Sequence, residues 1–398
     1  MAFYDFKEVL EKWNPWWALN EVPENKIGVP RAGVLEGLLE FVAAKEMVVV
    51  SGVRRSGKST LLFQVINALL KKGISPKNVL YFNFDEPLPE KGTELLQKVY
   101  DSFLELNNPT GRQFLFFDEI QNISNWEKWL KTAYDLKAPQ TKFFITGSNA
   151  SMLSSKLAKL LTGRILSKQV FPLSFEEFLT FNNVRPEKFS LQKTELKHFL
   201  EKYLFQGGFP EAVLEKNQDV NHQRLKEYFD NILVRDVLTM QEVRNPAKLS
   251  ELAQYAFANI SSPLSYNKMS RATGLNINTL KEYLSFLEQA YLLFQVNFFS
   301  FSIKESLLIQ KNRKIYCVDN ALRNAVSVPF SKNAGKLAEN VVFLELKRRG
   351  EQVFYWKDSN EVDFVVRKGS KLTAINVTYD DKPKKRERLT EKRFDHEY

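Results

Sequence analysis

Cysteine is nearly absent: Cys317 is the only one in 398 residues, so no intrachain disulfide can form and a reducing, cytoplasmic setting is expected. Long apolar runs are missing too. Stretches such as Met47–Val50 and Phe114–Phe117 fall far short of the roughly 20 residues that span a bilayer, which argues against a membrane-spanning helix. The start, Met1 to Trp17, is amphipathic and carries the acidic residues Asp5, Glu8 and Glu11, unlike the basic start and apolar run of an export signal. There is no internal repeat, and no low-complexity tract apart from a basic tail.

What is present is the balance of a folded protein, with 44% hydrophobic and 26% charged residues. A single core stops growing at roughly 250–300 residues, so more than one domain is expected. Thirty-two Phe against 14 Tyr and 6 Trp suggest cores built on aromatic packing. The net charge of +10 and pI near 9.3 invite a nucleic-acid reading. Half of that excess, however, lies between Lys382 and Arg393, where seven basic residues face two acids.

From Val48 to about Ile145, short apolar runs alternate with longer amphipathic stretches, as in a parallel sheet with crossover helices. The predicted strands are Met47–Val50, Val79–Phe82, Phe114–Phe117 and Phe143–Ile145; the predicted helices are Lys58–Lys71, Thr93–Leu106 and Ser124–Tyr134. Trp126, Trp129 and Leu130 fall at helical spacing and read as core. Beyond Phe171-Pro172-Leu173-Ser174 the pattern becomes almost wholly helical, with a loop at Gly207-Gly208-Phe209-Pro210. Helices over Leu252–Phe257, Met269–Thr273 and Thr279–Tyr291, with Gly274 in the last turn, have helix-turn-helix spacing, and runs at Leu292–Phe299 and Phe301–Ile309 would form a wing. A further α/β unit follows, with strands at Ile315–Val318, Val353–Trp356, Val362–Val366 and Leu372–Val377 around a helix at Leu337–Arg348. The expected division is an N-terminal helical segment (1–30), an α/β core (31–172), a helical lid or connector (173–215), a winged-helix domain (216–312) and a small α/β domain with the basic tail (313–398).

Gly52-Val53-Arg54-Arg55-Ser56-Gly57-Lys58-Ser59, followed by Thr60, is a phosphate-binding P-loop, straight after an apolar strand and opening a helix. Its glycines let backbone N–H groups and the helix N-terminus face phosphates. Lys58 would reach the β- and γ-phosphates of ATP, and Ser59 would give its hydroxyl to Mg²⁺, a hard ion that takes few protein ligands. Phe114-Leu115-Phe116-Phe117-Asp118-Glu119 supplies the second anchor: a buried strand whose end presents Asp118 for Mg²⁺ and Glu119 to polarise the attacking water. For Glu119 the alternative is a solvated acid or a helix cap. Thr146-Gly147-Ser148-Asn149 ends the next strand, so either Ser148 or Asn149 would sense the γ-phosphate, unless the segment is an ordinary turn. Arg164 would stabilise transition-state charge in its own or a neighbouring subunit, or is a surface arginine.

Between Leu249 and Val296, Lys268, Arg271 and Lys281 are balanced by Glu251, Glu282 and Glu288, a poor composition for a DNA reader. A protein-facing role therefore stands beside DNA contact for this segment. Glu339 with Glu361-Val362-Asp363-Phe364 resembles the acid cluster of metal-dependent nucleases. Yet Ile375-Asn376-Val377-Thr378 offers an amide and a hydroxyl where such a site needs an acid and a lysine, so no nuclease activity is expected.

Together the P-loop, Phe116-Phe117-Asp118-Glu119, Ile145-Thr146-Gly147-Ser148-Asn149, Pro172-Leu173-Ser174-Phe175-Glu176-Glu177-Phe178, Gly207-Gly208-Phe209-Pro210-Glu211 and Glu361-Val362-Asp363-Phe364 resemble one group over about residues 30 to 380. It is the archaeal and bacterial AAA-type ATPases with a C-terminal winged helix and a restriction-endonuclease-like domain. The resemblance implies a five-stranded AAA-like core and a cytoplasmic ATPase. It also implies Lys58 and Ser59 for phosphate and Mg²⁺, Asp118 for Mg²⁺, Glu119 for water activation and Ser148 for sensing. The departures are at Asn376 and Thr378, and the chain stops at Tyr398, earlier than the resemblance leads one to expect. The expected protein is an ATP-driven switch or motor acting on DNA, or a slow ATP-dependent switch that binds proteins, with oligomers allowed.

Overall fold

The computed structural model describes residues 6–87, 91–150, 161–184, 193–300, 313–327, 334–357, 361–369 and 371–379. Contacts divide the chain into two compact units, Met1–Gly52 with Gly57–Val170, and Val53–Ser56 with Phe171–Tyr398.

The first unit is built on β1 (Met47–Ser51), β2 (Val79–Asn83), β3 (Gln113–Asp118), β4 (Thr141–Gly147) and β5 (Ile165–Gln169). All neighbours are parallel in the order β2-β3-β4-β1-β5. Helices Lys58–Lys71, Thr93–Asn107 and Trp126–Lys137 cross between strands. Because successive side chains on a strand face opposite ways, the strands feed two cores. Val49, Leu80, Leu115, Phe117, Phe143 and Ile145 enter one; Val48, Val50, Tyr81, Phe114, Phe116 and Phe144 enter the other. Aromatic packing runs through both, as with Phe116 stacked on Phe144 at 4.8 Å. Of the two tryptophans read as core, Trp126 is buried, whereas Trp129 only leans on the core and donates from its indole to Gln97 at 2.9 Å.

The N-terminal segment closes the exposed side of β2. Asn14 acts there like a strand partner: its amide donates to the Tyr81 carbonyl at 2.9 Å and its carbonyl accepts from the Tyr81 N–H at 2.6 Å. Trp16 and Trp17 both donate to the Val79 carbonyl. An edge strand left with bare N–H and C=O groups would invite pairing with another chain. β5 is the strand that the residue pattern did not locate, although the resemblance implied five, because Ile-Leu-Ser-Lys-Gln carries no apolar run and is half-exposed.

In the second unit, helices Pro246–Ala258, Tyr266–Thr273 and Ile277–Gln289 precede β7 (Leu293–Val296), which pairs antiparallel with β8 (Lys314–Cys317); β8 also pairs with the short β6 (Ser262–Pro263). The expected wing strand Phe301–Ile309 lies outside the described residues. A helix at Ala334–Arg348 and an antiparallel meander of β9 (Gln352–Lys357), β10 (Glu361–Lys368) and β11 (Lys371–Ile375) complete the unit. Among the described residues no helix is long and apolar enough to cross a membrane.

Candidate functional site

β1 lies inside the sheet between β4 and β5, and the loop after it opens the helix Lys58–Lys71. Gly52 has φ 145°, and a Cβ there would stand 2.1 Å from the Val170 carbonyl oxygen, so only glycine fits. Gly57, the helix N-cap, is left-handed at φ 92°. Val53 and Ser56 are buried; Arg55 is exposed and Arg54 nearly covered. Thr60 is half-buried, with its methyl carbon 3.5 Å from where a Cβ on Gly28 would lie.

At the end of β1 and β3 the structure brings Lys58, Ser59, Asp118 and Glu119 together. The Lys58 ammonium donates to the Gly52 carbonyl at 3.0 Å and lies 3.6 Å from a Glu119 carboxylate oxygen. Asp118 is fully buried and accepts from Ser59, Thr146 and, at 2.7 Å, the Tyr81 hydroxyl. Burial raises its pKa, the neighbouring Glu119 raises it further, and those three hydroxyls pull it back. Glu119 itself has φ 53°, an uncommon conformation for a non-glycine residue that clusters at functional sites. Its N–H donates to Thr146 Oγ1 at 2.9 Å, and its carboxylate accepts from Gln121 at 2.5 Å. The same Gln121 amide reaches Ser148 Oγ at 3.2 Å, so Ser148 is linked to Glu119 through one side chain. Asn149 is buried beside it in sequence. Arg164 stands apart from this group: its guanidinium binds the Asp135 carboxylate at 2.9 Å and touches the Thr162 carbonyl.

Tyr81, Thr146 and Gln121 were not singled out in the sequence. Only the parallel register, which sets β2 and β4 on either side of β3, carries Tyr81 and Thr146 to Asp118.

The acids of the second unit also converge, on an unexpected partner. The Lys314 ammonium lies 2.9 Å from Glu339, 2.6 Å from Glu361 and 3.5 Å from Asp363. Tyr316 donates to Glu339 at 2.7 Å. Burial pushes Glu339 up to about 7 despite the pull of Lys314. For Lys314 burial acts against the charge, but the carboxylates outweigh it and raise its pKa above the usual value. Asn376 accepts from the Asp363 N–H at 3.1 Å, and the Val377 N–H donates to the Asp363 carboxylate at 2.9 Å. The expectation of a cluster without a lysine is thus corrected: a lysine is present, supplied by β8 and not by the segment Asn376–Thr378 that follows β11.

Comparison with known proteins bears on the family and the fold. The family model of an AAA domain matches residues 44–179, and models of two domains of unknown function match 197–333 and 334–397. The chain is 35% identical over 345 residues to the uncharacterized protein MJ1544 of Methanocaldococcus jannaschii, covering 83% of this chain and 74% of that one. It is 31% identical over 367 residues to an uncharacterized protein of Haemophilus influenzae, covering 89% and 88%. Among solved structures, the Walker-type ATPase paby2304 of Pyrococcus abyssi aligns with a TM-score of 0.51 over 77% of this chain and 97% of that one; at 14% identity the likeness is one of fold.

Proposed function

Since the chain belongs to the family of these Methanocaldococcus jannaschii and Haemophilus influenzae proteins and carries an AAA-type P-loop ATPase domain, we propose that it binds ATP with Mg²⁺ at Gly52–Thr60 and hydrolyses it. The observation that carries this reading is the convergence of Lys58, Ser59, Asp118 and Glu119 where β1 and β3 end. Backbone N–H groups of the loop and of the helix it opens face the phosphates. Lys58 gives up its pairing with Glu119 to a phosphate, and the released Glu119 carboxylate orients water for in-line attack. This exchange makes Glu119 competent only when nucleotide is bound. Ser59 and Asp118 would hold Mg²⁺: two adjacent buried acids, with Asp118 raised by burial, are a setting that a divalent cation stabilises. Bound there, the ion would neutralise charge developing on the phosphate oxygens. Ser148, tied through Gln121 to Glu119, is the better placed of the two candidate γ-phosphate sensors. Arg164 would have to leave Asp135 to act on a phosphate in either subunit.

The second unit is read as a winged-helix module followed by a restriction-endonuclease-like domain without nuclease chemistry. Three helices feeding a small antiparallel sheet support the first part. The Lys314 ammonium among the acids, with Asn376 and Thr378 just beyond the end of β11, supports the second. The zero net charge of the helix-turn-helix stretch favours a nucleotide-driven switch with a protein partner over a DNA motor. Measuring ATPase turnover alone, with duplex DNA and with single-stranded DNA, across a salt series decides between them. Stimulation that fades as salt rises would restore the DNA reading, and no turnover under any condition would remove the ATPase.

A further inference from the structure

The loop between Gly52 and Gly57 carries two consecutive arginines, and both are seated on the helix Gln218–Ile232 or its continuation. Arg54 and the buried Asp236 form a two-point fork, Nε to Oδ2 and Nη2 to Oδ1, each at 3.1 Å. Asp236 is 0% exposed and the Arg54 side chain 13%. Asp236 lies in a π-helical segment, Leu233–Leu238, which extends that helix. Such segments are rare and recur at functional sites. Within it Leu233, Asp236 and Val237 are buried, while Val234 and Arg235 are exposed. Arg55, left-handed at φ 70°, sets its guanidinium 5.4 Å from the Tyr228 ring and 3.9 Å from Glu211, and the Tyr228 hydroxyl is bonded to that same Glu211.

We propose that Asp236 is a positioning residue for the phosphate loop, acting through Arg54. The reasoning is mechanical. Val53–Ser56 is bracketed by glycines with positive φ, which free the backbone to take many shapes. Tight phosphate binding needs the N–H groups of that stretch held in one shape before the ligand arrives. A bidentate guanidinium–carboxylate pair fixes both a distance and a plane, and burial protects it from salt. Asp236 removes the freedom that the glycines introduce, and the seat of Arg55 on Tyr228 and Glu211 holds the next residue. An acid far along the sequence thereby sets the affinity of the loop for di- and triphosphates.

The inference rests on the P-loop reading above, and the test separates the two. Binding of a fluorescent ADP and ATP analogue, kcat and KM for ATP, and thermal melting are measured for the full chain and for Lys58→Ala, Asp236→Asn, Arg54→Lys and the Arg54→Lys/Asp236→Asn double variant. All binding is read well below each melting temperature. Asp236→Asn and Arg54→Lys should each weaken nucleotide binding and raise KM by about tenfold, with a smaller change in kcat; the double variant should also lose about tenfold, not a hundredfold, because the two residues act as one unit. Arg54→Lys keeps the charge and lies on the loop, so it decides the matter should Asp236→Asn fail to fold. A lowered melting temperature with unchanged nucleotide affinity would make the pair a scaffold contact and overturn the proposal, as would additive losses in the double variant. Nucleotide binding that is lost in Lys58→Ala but unchanged in Asp236→Asn and Arg54→Lys overturns this inference alone. A wild-type chain that binds no nucleotide overturns both.

Discussion

The Tyr81 hydroxyl on β2 donates to the Asp118 carboxylate on β3 at 2.7 Å, inside the group of side chains assigned to metal and water. That hydrogen bond pulls the Asp118 pKa down, against burial and the nearby Glu119 charge, which push it up. Tyr81→Phe keeps the ring that packs 4.5 Å from Phe63 but removes the donor. Asp118 should then be harder to ionise, so the acid limb of the ATPase pH profile should move to higher pH and the Mg²⁺ requirement should rise. Stability should fall by about 1.5–3 kcal/mol, the usual contribution of a hydrogen bond to a charged group. Turnover measured against Mg²⁺ at several pH values checks this; superimposable curves would remove Tyr81 from the site.

Lys58 and Glu119 lie 3.6 Å apart and are both nearly buried, yet their variants should behave differently. Lys58→Ala should lose nucleotide binding and turnover together, since the cation facing the phosphates is gone. Glu119→Gln keeps the shape and should bind ATP near normally while turnover falls by about 10²–10⁴-fold, the range for removing a general base. Equilibrium binding beside single-turnover hydrolysis separates the two. A parallel loss of binding in Glu119→Gln would make Glu119 a structural or metal residue.

Much of this was legible in the sequence. Four of the five parallel strands follow from apolar runs that become largely buried strands, and each run near the site ends in residues proposed for the chemistry: Ser51-Gly52, Asp118-Glu119 and Gly147-Ser148. β5 escaped because an edge strand covered on one side needs no continuous apolar run. Tyr81, Thr146 and Gln121 escaped because a tyrosine, a threonine and a glutamine carry no local pattern; they matter only through the strand register. Asp236 and Lys314 escaped for a related reason: each meets its partners through tertiary contacts, Arg54 in one case and Glu339, Glu361 and Asp363 in the other.

The Gly207-Gly208 pair was read from sequence only as a loop, and the structure gives it a cause. Gly207 has φ 69°, and a Cβ there would come within 2.1 Å of Asp319 Oδ1; at Gly208 it would meet the Leu173 carbonyl oxygen at 2.5 Å. The Gly208 N–H donates to Asp319 at 2.7 Å, and Ala321 donates to the same carboxylate at 2.8 Å. Burial pushes Asp319 up to about 6 in spite of these donors. Gly208→Ala forces backbone against backbone, with no side chain able to swing aside, and should cost about 1–3 kcal/mol. Denaturant unfolding is the measurement. A variant of wild-type stability would mean that the Leu173 segment shifts freely.

Lys314 and Glu339 make the last prediction, in two parts. Lys314→Met removes the ammonium and leaves Glu339, Glu361 and Asp363 facing one another, so it should destabilise the chain by about 3–5 kcal/mol, the cost of breaking a buried ion pair from one side. Adding Glu339→Gln to it should restore part of that loss, because one of the opposed charges goes. The second part is a pH dependence. Glu339 is raised from 4.5 to about 7, so between those values the folded chain holds more protons than the unfolded one, and stability falls as pH rises. Asp319, raised from 3.8 to about 6, acts in the same direction, whereas Glu361, lowered by Lys314 and Lys357 against burial, acts in the opposite one below its unfolded value. The contribution of Glu339 is therefore isolated by difference: between pH 5 and pH 8 the drop in melting temperature should be smaller in Glu339→Gln than in the parent chain. Equal drops would mean that Glu339 is ionised throughout. With its acids committed to Lys314, this unit should not cut DNA in Mg²⁺ or Mn²⁺, with or without ATP, in a gel assay of the purified chain. Cleavage that disappears in Asp363→Ala would overturn that reading.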